Sequence, residues 1–92
     1  MIEIQTTKTF DKLFLKLPLK IQLRATQKTE LFKANPFHPS LKTEKLSPKG
    51  YDVWSFRIDF SYRIVFKFVD EGIAEFRFVG HHSDIYDYNI FG

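Results

Sequence analysis

From Val53 to Gly80 the chain alternates apolar and polar residues with little interruption. Trp54, Phe56, Ile58 and Phe60 occupy one phase and Val53, Ser55, Arg57 and Asp59 the other. Tyr62, Ile64, Phe66 and Phe68 then repeat the apolar phase opposite Ser61, Arg63, Val65 and Lys67. A period of two is that of a strand with one buried face, and too few residues join the two runs for any connection but a hairpin. A third run, Ile73 to Gly80, follows the Asp70-Glu71-Gly72 turn, with Phe76 and Phe78 expected inward and Glu75, Arg77 and Val79 outward. The pattern predicts a three-strand antiparallel meander with one strongly aromatic face.

The first half obeys a different period. Ile2 to Thr6 alternates briefly, as a short strand does, and then Phe10, Leu13, Phe14 and Leu17 recur at the spacing of one helical face. This predicts a helix over Thr9 to Leu17 with Thr7 or Thr9 as its N-cap. Pro18 interrupts that helix but suits the first turn of another, in which Ile21, Ala25 and Phe32 share a face up to about Ala34 and Lys20, Arg24, Gln27 and Lys28 take the other side. Asn35 to Ser40 holds two prolines and reads as a loop. Leu41 to Leu46 reads as a short irregular strand, Ser47-Pro48-Lys49-Gly50 as a turn, and the tail from His81 as a loop or a short turn of helix. The order β-α-α-β-β-β predicts an α+β fold in which a helical hairpin packs on one face of a small, antiparallel-rich sheet. The other face is expected to be free and basic, carrying Arg57, Arg63, Lys67 and Arg77, broken by Asp59 and Glu75.

Composition narrows the classes. Ninety-two residues predict a single domain over 1–92, and 11 phenylalanines supply the apolar area that so small a core needs. The absence of cysteine excludes disulfides, cysteine zinc sites and thiol nucleophiles. No apolar stretch reaches the roughly 18 to 20 residues of a membrane span, and Glu3 lies where a secretory signal would carry bases. Membrane and export readings therefore fall away, and a cytoplasmic location is expected. Residues 1–50 hold ten Lys and Arg against four Asp and Glu, and residues 51–92 hold four against seven, so the basicity lies in the first half. Taken alone, such a face is a weak pointer to polyanions.

The run Gly80-His81-His82-Ser83-Asp84-Ile85-Tyr86 leaves the last strand beside the basic face. Together with Trp54-Ser55-Phe56-Arg57-Ile58 and Tyr62-Arg63-Ile64-Val65-Phe66, and with the β-α-α-β-β-β order, it resembles the RelE/ParE superfamily of bacterial type II toxins over nearly the whole chain. The resemblance implies a ribosome-dependent mRNA endonuclease that works without metal or cofactor and is silenced by a cognate antitoxin. Such an enzyme activates the ribose 2′-hydroxyl against the adjacent phosphorus, so it needs a base, an acid for the leaving 5′-oxygen and cations for the phosphorane charge.

Position by position, the resemblance assigns His82 as the acid or base of YafQ-like members, Arg63 as the strand arginine that RelE uses on the phosphate, and Tyr86 as the aromatic residue closing the site. Arg57, Lys67, Arg77, His81 and His38 are the expected RNA contacts. His38, in Phe37-His38-Pro39, resembles an upstream His-Pro pair of YafQ-like toxins. Only His38 and Asp59 are available for the further histidines and aspartate of that branch, so the general base is unassigned. The ParE branch, which acts on DNA gyrase, lacks the catalytic set; His82 with Arg63 argues against it. A degenerate member that only binds its antitoxin is the third reading.

Each residue has a plainer role open to it. A histidine at a strand end is often only a hydrogen-bonding cap, strand-face arginines are often solvated or paired, and Tyr86 can simply cap the core. A zinc site is disfavoured, because His81 and His82 are expected to point apart in an extended segment and no His-x-x-x-His pair supports them.

Overall fold

The computed structural model describes residues 1–46 and 52–87. Five strands and two helices follow one another as β1 (Glu3–Thr6), α1 (Lys8–Leu15), α2 (Leu19–Ala34), β2 (Glu44–Lys45), β3 (Val53–Arg57), β4 (Tyr62–Asp70) and β5 (Ile73–His81). One turn of 3-10 helix occupies Pro39–Leu41 and a two-turn 3-10 segment His82–Asp87. The sheet runs β1-β5-β4-β3-β2. β1 lies parallel to β5 and every other pairing is antiparallel. This is the α+β arrangement expected from the sequence. The Ser47–Gly50 turn lies outside the described residues, as does the end of the tail from residue 88.

Local chemistry sets the helix limits. Thr7 caps α1, its Oγ1 accepting from the Phe10 N–H at 3.1 Å. The helix stops at Leu15, two residues before the predicted end, because the residue ahead of a proline is pushed out of the helical region. Lys16 and Leu17 instead donate to Leu13 and Phe14 in a tightened last turn. Gln22 Nε2 then reaches back from α2 to the Leu17 carbonyl at 3.0 Å, satisfying a group that the break would leave open.

Phe32 of α2 is the centre of the core. Its ring stacks on Phe56 at 5.0 Å and meets Phe66 and Phe76 edge-on at 4.8 and 5.4 Å. Phe10 of α1 joins through Phe76, and the small Ala25, buried, lets α2 lie close to the sheet. Phe60 departs from the expectation. β3 ends at Arg57, Phe60 falls in the hairpin turn, and it is 80% exposed.

A second departure reorganises the other face. Ile64 pairs with Val79 and Val65 with Phe78, but Phe66 pairs with Phe76, so Arg77 is an extra residue in β5. Such a β-bulge inverts the alternation. Val79, expected outward, is therefore in the main core, while Phe78, expected inward, packs on the far face. There Phe78 joins Val53, Val65 and Ile85 in a second apolar cluster, covered by the C-terminal 3-10 turn, with Leu13 and Leu46 at its margin. The far face is thus not free. A Cβ at Gly80 would lie 3.0 Å from the tip of the Phe78 ring, close enough that the ring would have to give by a few tenths of an ångström.

Candidate functional site

The C-terminal end of β5, the β3–β4 turn and the 3-10 turn after β5 meet at one end of the sheet. Asp59 builds the β3–β4 turn, its Oδ1 accepting from the Ser61 and Tyr62 N–H groups at 2.8 Å each, while Oδ2 lies 3.8 Å from Arg24 Nη1. The His82 N–H donates to the Ser61 carbonyl at 2.7 Å, which ties the chain leaving β5 to that turn.

Arg63 folds over the same turn. Its Nη1 donates to the carbonyls of Phe60 at 2.8 Å, Asp59 at 3.1 Å and Tyr62 at 3.3 Å. Burial, and secondarily repulsion from Arg57, lowers the Arg63 pKa from its ordinary value, while Glu44 and Asp59 oppose the shift. Arg57 is its cross-strand partner in the β3–β4 register, and among the described residues Arg57 takes part in no ion pair. Like charges opposite one another destabilise a sheet. An anion between them removes that repulsion.

The histidines differ from the expectation. Because β5 ends at His81 and His82 opens a 3-10 turn, the two rings do not point apart but stack at 4.5 Å between centroids, 29° from parallel. His81 Nδ1 receives the Ser83 N–H at 3.2 Å and lies 2.8 Å from Ser83 Oγ, and its ring meets Tyr62 edge-on at 5.8 Å. The backbone N–H at Nδ1 places the neutral ring's proton on Nε2. His82 is exposed, and its ring has no hydrogen-bond partner among the described residues.

Other expected contacts lie elsewhere. Arg77 is held by Glu75, Nε to Oε1 at 2.8 Å. Lys67 pairs in register with Val53 and Glu75, on the far side of Val65 from Arg63, so apolar residues interrupt the basic surface. Phe37 packs on Trp54 and Phe68. Phe68 lies six residues along β4 from Tyr62, about 20 Å of strand, which puts the neighbouring His38 at the opposite end of the sheet from His82. There His38 caps the first 3-10 turn, Nδ1 accepting from the Ser40 N–H at 3.1 Å. The backbone of Tyr86 lies in the C-terminal turn, while its side chain falls outside the described residues.

In register Arg63 lies opposite Arg57 and Gly80, and Tyr62 opposite His81, so the arginine pair and the stacked histidines share one end of the sheet. Sequence reasoning missed Tyr62 and Ser83. The His-x-Ser spacing, present at both His38-Pro39-Ser40 and His81-His82-Ser83, is the signal that a ring nitrogen caps the second N–H onward. No group of three or more His, Cys, Asp or Glu among the described residues is placed to hold a metal ion, and none of the described helices is long and apolar enough to cross a membrane.

No family model matches the sequence, and no curated protein matches it. Solved structures do. A RelB-RelE antitoxin-toxin complex from Methanococcus jannaschii is similar at 30% identity and TM-score 0.65, over 92% of this chain and 98% of that one. The YoeB/ParE toxin from Agrobacterium tumefaciens is similar at 19% identity and TM-score 0.73, over 88% and 99%. YafQ from E. coli is similar at 15% identity and TM-score 0.72, over 94% and 99%.

Proposed function

The chain belongs to the RelE/ParE superfamily of toxins, and from that premise we propose that it is the toxin of a type II toxin-antitoxin pair, an endoribonuclease that cleaves mRNA on the ribosome without a metal. The observation that carries this reading is that the Arg57–Arg63 cross-strand pair and the stacked His81 and His82 share one end of the sheet. It puts a destabilising concentration of positive charge at the same end of the sheet as an exposed imidazole, and in this reading a scissile phosphate resolves the one while the other moves a proton.

In this reading a base removes the 2′-hydroxyl proton, the 2′-oxygen attacks phosphorus, and the P–O5′ bond breaks as an acid protonates O5′. His82 takes one of the two proton transfers, since an imidazole can either accept or donate a proton through its ring nitrogens. Arg57 and the remaining N–H groups of Arg63 stabilise the phosphorane oxygens. Tyr86 orients or stacks a base. His81, Lys67 and Arg77 contact RNA away from the phosphate, and His38, at the opposite end of the sheet, touches only an RNA that spans it. The second proton transfer has no assigned side chain among the described residues.

A cognate antitoxin covers this end with an acidic segment opposite Arg57 and Arg63. The lysine-rich helical side faces ribosomal RNA.

One observation favours a second reading. Arg63 spends Nη1 on three turn carbonyls, as suits a structural residue, so a non-enzymatic toxin that inhibits a protein such as gyrase is the competitor. A degenerate chain that only binds its antitoxin would share the fold. Induced expression with protein synthesis and plasmid supercoiling followed in parallel separates them. The proposal expects synthesis to stop while supercoiling persists. Lost supercoiling with continued early synthesis supports gyrase inhibition, and unimpaired growth supports the degenerate member.

A further inference from the structure

Beside the stacked histidines a cleft of about 210 Å³ opens between the α1–α2 junction and the end of β5. Leu13, Leu17 and Pro18 form one wall, and His81 with Tyr62 forms another. Lys16 and Asp84 are the charged groups that line it. We infer that this cleft is a nucleobase subsite selecting guanine, a specificity determinant that rests on the endoribonuclease reading.

Four features argue for a base. The cleft lies below the roughly 300 Å³ at which drug-sized pockets begin, so it suits a single flat ring system. Its walls combine aliphatic side chains with the rings of His81 and Tyr62, the surfaces on which unpaired bases stack. His81 belongs both to the cleft wall and to the stack with His82 at 4.5 Å, so a base here is one ring removed from the proton-transfer group. Lys16 and Asp84 make no ion pair with each other or with another described residue, so both are available to a ligand.

Asp84 gives the choice of base. A carboxylate accepts two parallel N–H donors best, and guanine alone presents two adjacent donors, N1–H and the N2 amino group, on its Watson–Crick edge. Adenine and cytosine each offer one amino group beside an acceptor nitrogen, which a carboxylate repels. Lys16 is a donor suited to guanine O6. The same carboxylate repels phosphate, so the base enters the cleft while the phosphate stays with Arg57 and Arg63.

The test uses the whole chain carrying His82→Ala, titrated with the four nucleoside 5′-monophosphates and followed by amide chemical shifts. All four share the phosphate, so their differences report the base. GMP is expected to bind at least fivefold tighter than AMP, CMP or UMP and to shift Leu13, Gly80 and Asp84, and adding Asp84→Asn should abolish the advantage. Equal affinities, shifts confined to Arg57 and Arg63, or an advantage that survives Asp84→Asn would overturn the subsite. Mapped mRNA ends in cells separate the two claims. Ends without a guanine bias sensitive to Asp84→Asn sink the subsite alone. Absence of ends sinks the endoribonuclease reading, and the nucleotide titration still decides the cleft.

Discussion

Arg57 and Arg63 stand opposite one another across the β3–β4 hairpin, yet they are bound to the protein in different ways. Arg63 is anchored to its own turn through three carbonyls, while Arg57 has no ion pair among the described residues. One is structural as well as charged; the other contributes charge alone.

Arg57→Gln is therefore expected to stabilise the free protein by about 0.2 to 1 kcal/mol, by removing a like-charge cross-strand pair. It should weaken RNA binding and flatten the logarithmic salt dependence by about 0.7, the share of one phosphate contact to a single strand. Urea melts and a salt series on a short RNA check both parts.

Arg63→Gln should do the opposite to stability. It strips charged donors from the Asp59, Phe60 and Tyr62 carbonyls, at a cost of about 1 to 3 kcal/mol, offset slightly by relief from Arg57. A lower urea midpoint for this variant beside a raised one for Arg57→Gln is the expected contrast.

Phe32→Ala removes the ring on which Phe56, Phe66 and Phe76 converge, at a site with no exposure. The expected loss is about 3 to 5 kcal/mol, a large part of the stability of a domain this size. Denaturant unfolding measures it, and a loss below about 1 kcal/mol would contradict the packing described.

Gly80→Ala brings a methyl to 3.0 Å from the Phe78 ring and forces that ring to move. The expected cost is about 1 to 3 kcal/mol. Amide shifts should spread to Val53, Val65 and Ile85, the partners of Phe78, while Phe32 and its neighbours stay still.

Elements with a clean period were legible in the sequence. Phe10, Leu13 and Phe14 marked α1, Pro18 marked the helical break, and Trp54 to Phe68 marked the hairpin. Phe78 and Val79 were misread because a single inserted residue, Arg77, reverses the phase, and nothing in the local composition announces a bulge. The parallel placement of β1 against β5 is a long-range choice that no short window contains. At the candidate site, the resemblance named His82 and Arg63 and the strand alternation named Arg57, and the structure places all three at one end of the sheet. The His81–His82 stack was not, because it depends on where β5 gives way to a 3-10 turn. Asp59, offered as a possible catalytic carboxylate, instead accepts two backbone N–H groups in the turn.

The most direct measurement is the chemistry of mRNA ends formed in cells expressing the chain, beside His82→Ala shown to be folded and to retain antitoxin binding. Attack by the 2′-hydroxyl predicts new 5′-hydroxyl ends that the variant loses by at least about a hundredfold, the scale of general acid–base catalysis. No new ends, or ends formed equally by His82→Ala, would contradict the account.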